Sequence, residues 1–172
     1  MPQRPADAVG GKELMLRVAG MNRDEREAAV LREISSGNIP DFLRRFKSVS
    51  IAAGEMRGTI EVMPDYLAVG SDEDFVRVPM TPQTAQRIAD RFGCTLPTRK
   101  MVDAIDAAAE VRLAPQPLTE KRESVAAFLL SNEKIERQRA GKPLGALTIG
   151  AKKDVVLTPR IHERPDRVAI YG

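Results

Sequence analysis

Ser48-Val49-Ser50-Ile51-Ala52-Ala53-Gly54-Glu55-Met56-Arg57-Gly58-Thr59-Ile60-Glu61-Val62-Met63 is the stretch that decides the fold. Val49 and Ile51 alternate with Ser48 and Ser50, and residues 59–63 alternate again, the period of two that belongs to a half-buried strand. The segment from Gly54 to Gly58 supplies a turn, so the stretch predicts a β-hairpin. Pro64-Asp65 breaks the second strand. Tyr66-Leu67-Ala68-Val69 and Phe75-Val76-Arg77-Val78 then continue the strand character on either side of a polar turn.

Outward from this β-rich middle the period becomes helical. Toward the N-terminus, Leu14, Met15 and Val18 mark a short helix, and Ala29, Val30 and Ile34 mark a second. Asn22 and Glu25 have the spacing of a capping box at the start of that second helix. Residues 1–11, with two prolines and two adjacent glycines, are expected to form a flexible leader. Toward the C-terminus, Thr81-Pro82 opens a helix with a hydroxyl cap and a proline at the first position, and Gly93 stops it. Leu96-Pro97-Thr98 starts the next, with Met101, Val102, Ile105 and Ala109 inward. A third central helix is expected over 119–139, and strands return at 146–149, 155–157 and 168–171. Helices and strands in separate runs, without regular βαβ alternation, give an α+β class: N-terminal helices, a β-rich middle, three central helices and returning C-terminal strands. The expected organisation is a single domain over 12–172; because its last strand ends at Tyr171, either that strand pairs with the existing sheet or the domain is truncated at the C-terminus.

The chain has 172 residues, 42% of them hydrophobic and 4% aromatic with no Trp, so its core must rest on Leu, Ile, Val, Met and Ala. No apolar run approaches a membrane span and no secretory signal opens the chain, so a cytoplasmic location is expected, or a secreted one if the N-terminus is missing. The net charge is +3, unevenly spread: residues 134–172 hold nine Lys or Arg against four Asp or Glu. Such a portion suits an anionic partner.

One cysteine and one histidine frame the catalytic expectation. Cys94 precedes a helix start, where unpaired N–H groups favour a thiolate. His162, in Pro159-Arg160-Ile161-His162-Glu163, is the only imidazole able to serve it as base, with Asp154, Glu163 or Asp166 to orient the ring. Backbone N–H groups near Thr95 are the expected oxyanion donors. The acidic cluster Asp72-Glu73-Asp74, with Asp65, reads as a solvated turn, and Asp103, Asp106 and Glu110 as a charged helix face; neither predicts a metal. The basic runs Arg44-Arg45-Phe46-Lys47, 134–142 and Lys152-Lys153 lack stacking aromatics, so nucleic acid is not the expected partner. No glycine pattern calls for a nucleotide cofactor, and no cofactor is expected.

Gly37-Asn38-Ile39-Pro40-Asp41-Phe42-Leu43-Arg44, Pro64-Asp65-Tyr66-Leu67-Ala68-Val69-Gly70-Ser71-Asp72, Phe75-Val76-Arg77-Val78-Pro79-Met80 and Phe92-Gly93-Cys94-Thr95-Leu96-Pro97-Thr98-Arg99-Lys100-Met101-Val102-Asp103 resemble a family of uncharacterised bacterial proteins, from about Arg26 onward. The resemblance implies members that continue past Gly172, with further histidines, and that carry His where this chain has Ala151. A second likeness is to NlpC-type cell-wall peptidases, which pair a Cys at a helix start with a later strand resembling Arg167-Val168-Ala169-Ile170-Tyr171-Gly172. Those peptidases have His where this chain has Arg167, and Asp where it has Gly93. Two functions are expected from these readings. The first is a cysteine-dependent amide or peptide hydrolase, in which Cys94 attacks a carbonyl of a small-molecule or peptide substrate and His162 carries the proton. The other is a non-catalytic binding or scaffold domain whose basic C-terminal portion meets an acidic partner.

Overall fold

Asn22 sets the first long helix as its spacing predicts: its Oδ1 accepts the Glu25 N–H at 3.0 Å, and Glu25 Oε2 accepts the Asn22 N–H at 3.1 Å. The computed structural model describes residues 1–117, 121–163 and 167–172; at 161 and 162 it describes the backbone. Its elements are α1 (Gly11–Arg17), α2 (Arg23–Ser35), β1 (Lys47–Ala53), β2 (Met56–Val62), β3 (Ala68–Gly70), β4 (Phe75–Arg77), α3 (Pro82–Arg91), α4 (Arg99–Ala108), β5 (Val111–Arg112), α5 (Val125–Arg139), β6 (Thr148–Ile149), β7 (Asp154–Val155) and β8 (Ile170–Tyr171). The class is α+β; the helices come in the expected order, and a short strand, β5, stands between α4 and α5 where none was expected.

The strands do not merge. They pair as four separate two-stranded ladders: β1–β2, β3–β4 and β7–β8 antiparallel, β5–β6 parallel. The hairpin turn is tighter than its sequence suggested. Gly54 and Glu55 alone reverse the chain, and Gly54 takes φ +62°, the positive first position of a type II′ turn. Four expected strands are shorter than their apolar runs: β3 starts at Ala68, leaving Tyr66 in the preceding bend, β6 starts at Thr148, β7 covers only 154–155 and β8 starts at Ile170. The third central helix starts at Val125, where Ser124 Oγ accepts the Ala127 N–H at 3.2 Å. Its expected first residues, 119 and 120, lie outside the described residues.

The main core gathers Leu14 and Met15 from α1 with Val18 at its C-cap, Val30 and Ile34 from α2, Val69 and Val76 from the β3–β4 hairpin, Ile88 from α3 and Phe128 from α5. Phe42 and Phe75 meet edge to face there, ring centres 5.1 Å apart. A smaller cluster joins Val111, Leu113, Ile135, Ala146 and Ala151 under Tyr66. A third sets Val102 of α4 against Ile149 and Val156, with Ala169 and Tyr171 beside them.

The expected leader makes polar contacts to the rest of the fold. Residues 1–10 lie against the fold: Arg4 Nε donates to Asn38 Oδ1 at 3.0 Å and to Gly70 O at 3.1 Å, while its Nη2 donates to Ala8 O and Val9 O. From the other side, Arg44 donates to Pro2 O and Gly37 O. Gly37, at φ +96°, lies so near that a Cβ there would come within 2.8 Å of both Gln3 O and Pro2 O. A segment poor in apolar residues is thus held by charge-assisted bonds to backbone carbonyls, which hydrophobic patterning does not reveal. Among the described residues, no helix is long and apolar enough to cross a membrane.

Candidate functional site

Cys94 sits where α3 ends. Gly93, at φ +64°, donates to Asp90 O at 3.2 Å and Cys94 N–H donates to Ala89 O at 2.9 Å, the paired bonds of a Schellman motif. The side chain is exposed, its thiol 3.6 Å from Phe92 O. Thr95 is also exposed and donates from Oγ1 to Leu96 O at 3.1 Å. Four residues after Cys94, Thr98 caps α4 by accepting the Met101 N–H at 3.3 Å.

The same turn is stitched to the C-terminal segment. Leu157 N–H donates to Pro97 O at 2.8 Å, and Thr98 and Leu157 form a parallel bridge. Parallel pairing fixes the sense of both chains: Cys94 precedes the bridge on one and His162 follows it on the other. His162 is in a short 3-10 turn, Pro159–His162, and its side chain lies outside the described residues, as does Asp166. Glu163 is exposed. Among the described residues no acid or base bonds the Cys94 thiol.

A more tightly bonded polar centre lies behind β4. Arg77 is 1% exposed; its Nε and Nη2 donate to the two oxygens of Asp65 at 2.9 and 2.5 Å, and Nη1 donates to Glu136 Oε1 at 2.8 Å. Asn132 Oδ1 accepts from the Arg77 backbone and from Nη1, and its Nδ2 donates to Phe75 O at 2.9 Å. The guanidinium also lies over the Phe75 ring, 5.1 Å from its centre. Burial pushes the Glu136 carboxyl up, but Arg139 and Arg77 outweigh it and hold the group below its ordinary range.

Tyr66, Lys152 and Asp154 lie beside this centre. The Tyr66 hydroxyl donates to Lys152 O at 2.7 Å and accepts the Lys152 N–H at 3.3 Å; burial, with Asp154 adding to it, pushes the phenol up to about 12. Burial and the nearby Arg77 lower the Lys152 ammonium. Burial raises the Asp154 carboxyl to about 6. Asp154 was expected as an orienting group; it occupies the start of β7 opposite Tyr171.

The other charged candidates have structural work. Asp72 accepts the Phe42 N–H at 3.0 Å and faces Arg45, and Asp74 accepts the Lys12 N–H at the start of α1. Asp65 belongs to Arg77 and stands apart from the Asp72–Asp74 turn. Glu110 lies beyond the end of α4 rather than on its face, bonding the Leu147 N–H at 3.2 Å and pairing with Lys47 at 3.4 Å. Asp103 accepts from the Tyr171 hydroxyl at 2.7 Å, and Asp106 pairs with Arg112. Among the described residues, no three His, Cys, Asp or Glu are gathered as metal ligands would be.

The C-terminal portion presents a surface of different character. In β7–β8, Asp154 faces Tyr171 and Val155 faces Ile170, and beyond the ladder Val156 N–H donates to Ala169 O at 2.9 Å. Strand alternation sends Val156, Ala169 and Tyr171 toward α4 and leaves the other face to Val155, Leu157, Val168 and Ile170. Leu157 is 44% exposed, Val168 53% and Ile170 57%. Lys153 and Arg160, both exposed, stand near the two ends of the Val155–Leu157 row. Periodicity found these strands, but which face α4 covers was not readable from it. No family model matches the chain, and no curated protein or solved structure matches it.

Proposed function

We propose that this chain is a binding or scaffold domain whose basic C-terminal portion docks an acidic partner. The observation that carries the reading is the open side of β7–β8, where exposed Leu157, Val168 and Ile170 accompany half-buried Val155, with exposed Lys153 and Arg160 close by in sequence. Exposed apolar side chains scattered singly are ordinary, but cross-strand neighbours on one open face supply a contiguous anchor. The surrounding bases select the sign of what lands there.

The test is the affinity of a fluorophore-labelled, alternating Glu-Val octapeptide, followed by anisotropy. Binding is expected at about 20 mM salt, weakening about tenfold by about 300 mM as the charges are screened. The charge-reversed variant K153E/R160E is expected to lose binding with its fold intact. No binding by the unaltered protein, or equal binding by the variant, overturns the reading.

The exposed Cys94 thiol favours a second reading, the cysteine hydrolase with His162 as base. Alkylation of the native protein by iodoacetamide is expected to proceed readily, since no side chain has to move aside. Replacing His162 by Ala is expected to shift the pH profile of that rate when the two side chains meet. Superimposable profiles remove the hydrolase reading.

A further inference from the structure

We infer that two copies of this chain pair along the outer edge of β2, antiparallel and in a single register, about a twofold axis through Thr59. The hairpin fixes which groups point outward. Ala53 and Met56 face each other across the two-residue turn, so they are the hydrogen-bonded pair that closes it. Such pairs alternate along an antiparallel ladder, so Met56, Gly58, Ile60 and Val62 bond to β1. Arg57, Thr59 and Glu61 therefore turn their N–H and C=O groups away from β1. Among the described residues these groups meet no backbone partner, and β2 pairs with no strand besides β1. The helix that packs on this hairpin, α4, does so at β1.

An edge of this kind is a template for another strand unless proline, a bulge or repelling charge guards it. Met56–Val62 contains no proline, and its register against β1 is unbroken. Charge decides the occupant. Arg57 and Glu61 are the charged residues of β2, and alternation puts them on one face with Thr59, all three exposed. When Thr59 faces Thr59 of a second copy, Arg57 faces that copy's Glu61, and Glu61 faces its Arg57. Residues directly opposite share a face, so both pairs meet with opposite sign. Within one chain Glu61 accepts the Ser48 hydroxyl, while Arg57 has no carboxylate partner among the described residues. A slip of one outward residue sets a charge against Thr59 instead, and a slip of two sets Arg57 against Arg57 or Glu61 against Glu61. The favoured register also overlaps the whole of β2. On the opposite face it brings Met56, 74% exposed in the single chain, against Val62 of the other copy. A surface that complements itself about a twofold axis closes as a dimer.

Sedimentation velocity of the unaltered chain is expected to show a monomer–dimer equilibrium with Kd about 10–100 µM, as suits a small seam. Arg57→Glu and Glu61→Arg each set like charges opposite in both pairs, and each is expected to weaken the dimer about tenfold or more. Mixing R57E with E61R is expected to restore it, since two glutamates of one chain then face two arginines of the other. On raising the concentration of the unaltered chain, amide exchange at Arg57, Thr59 and Glu61 is expected to slow about tenfold, whereas the Gly58 and Ile60 amides, already bonded to β1, change little. An unaltered chain that stays monomeric at about 1 mM overturns the proposal. A dimer undiminished in R57E overturns it, as does a mixture that associates no better than its components. Unchanged exchange at the three outward amides in a dimeric sample overturns it as well, whatever the variants do to folding. The acidic-partner reading, which uses other residues, is untouched by any of these results.

Discussion

At position 77 the chain places an arginine among Phe75, Val76 and Val78, and an alternating strand reading puts that arginine in water. The structure buries both faces of β4, so the guanidinium needs a carboxylate that local patterning cannot locate. Asp65 supplies it from the bend before β3, twelve residues away. Breaking such a pair from one side strands a buried charge. Asp65→Ala is expected to cost about 3–5 kcal/mol, and the double replacement Asp65→Leu/Arg77→Met considerably less than the sum of the singles; urea unfolding of all three variants checks both statements. Asp154 has the opposite sign. Raised to about 6 by burial, its carboxyl keeps a proton in the folded chain across a window where the unfolded chain has lost its own. The contribution of this group to stability therefore falls as pH rises from about 4 to about 6. Asp154→Asn is expected to be the more stable protein at about pH 7, by about 1–2 kcal/mol after allowing for partial solvent access, with the advantage gone near pH 4. A variant that is less stable at both pH values contradicts that assignment.

The helices were legible because their signals are local. Asn22 with Glu25, Thr81 with Pro82, Thr98, and Gly93 mark helix ends with bonds that close within a few residues, and each is found at its place. Asn22→Ala is expected to cost about 1 kcal/mol in thermal unfolding. Strand lengths were less legible, because an apolar run says that a segment is buried and not which neighbour pairs it. Residues 66–69 include an apolar stretch of which only the end pairs with β4; Tyr66 is taken instead by the smaller cluster and by the backbone of Lys152. The Cys94 turn shows the same limit. Its closeness to a helix start was readable, whereas the parallel stitch from Pro97 and Thr98 to Leu157, which sets the sense in which His162 leaves, joins segments about sixty residues apart. The hairpin turn supplies a cleaner element-scale test. Gly54 has a positive φ and open space around it, so Gly54→Val is expected to destabilise through backbone strain alone, by about 1–2 kcal/mol.

Across the whole molecule, four two-stranded ladders share no continuous sheet, so helices and loops carry the connection from one to the next. A ladder of this size holds only when packed. β3–β4 is enclosed by α1 and α5, and β7–β8 leans on α4 by one face, with Leu157, Val168 and Ile170 exposed on the other side. The N-terminal segment is part of that assembly. Arg4 finds its acceptors at Asn38 and Gly70, and Asn38, wholly buried, also bonds Val9 O and Glu33. Arg4→Ala is expected to lower thermal stability measurably more than Arg23→Ala, whose guanidinium only meets exposed Asp24. There is an order of events in this. Synthesis delivers Arg4 well before the carbonyl of Gly70, so the seat for the beginning of the chain does not exist until α1, α2 and the first hairpin have left the ribosome. Arg4 is thus made well before its acceptors, and reaches them only once that part of the fold has formed.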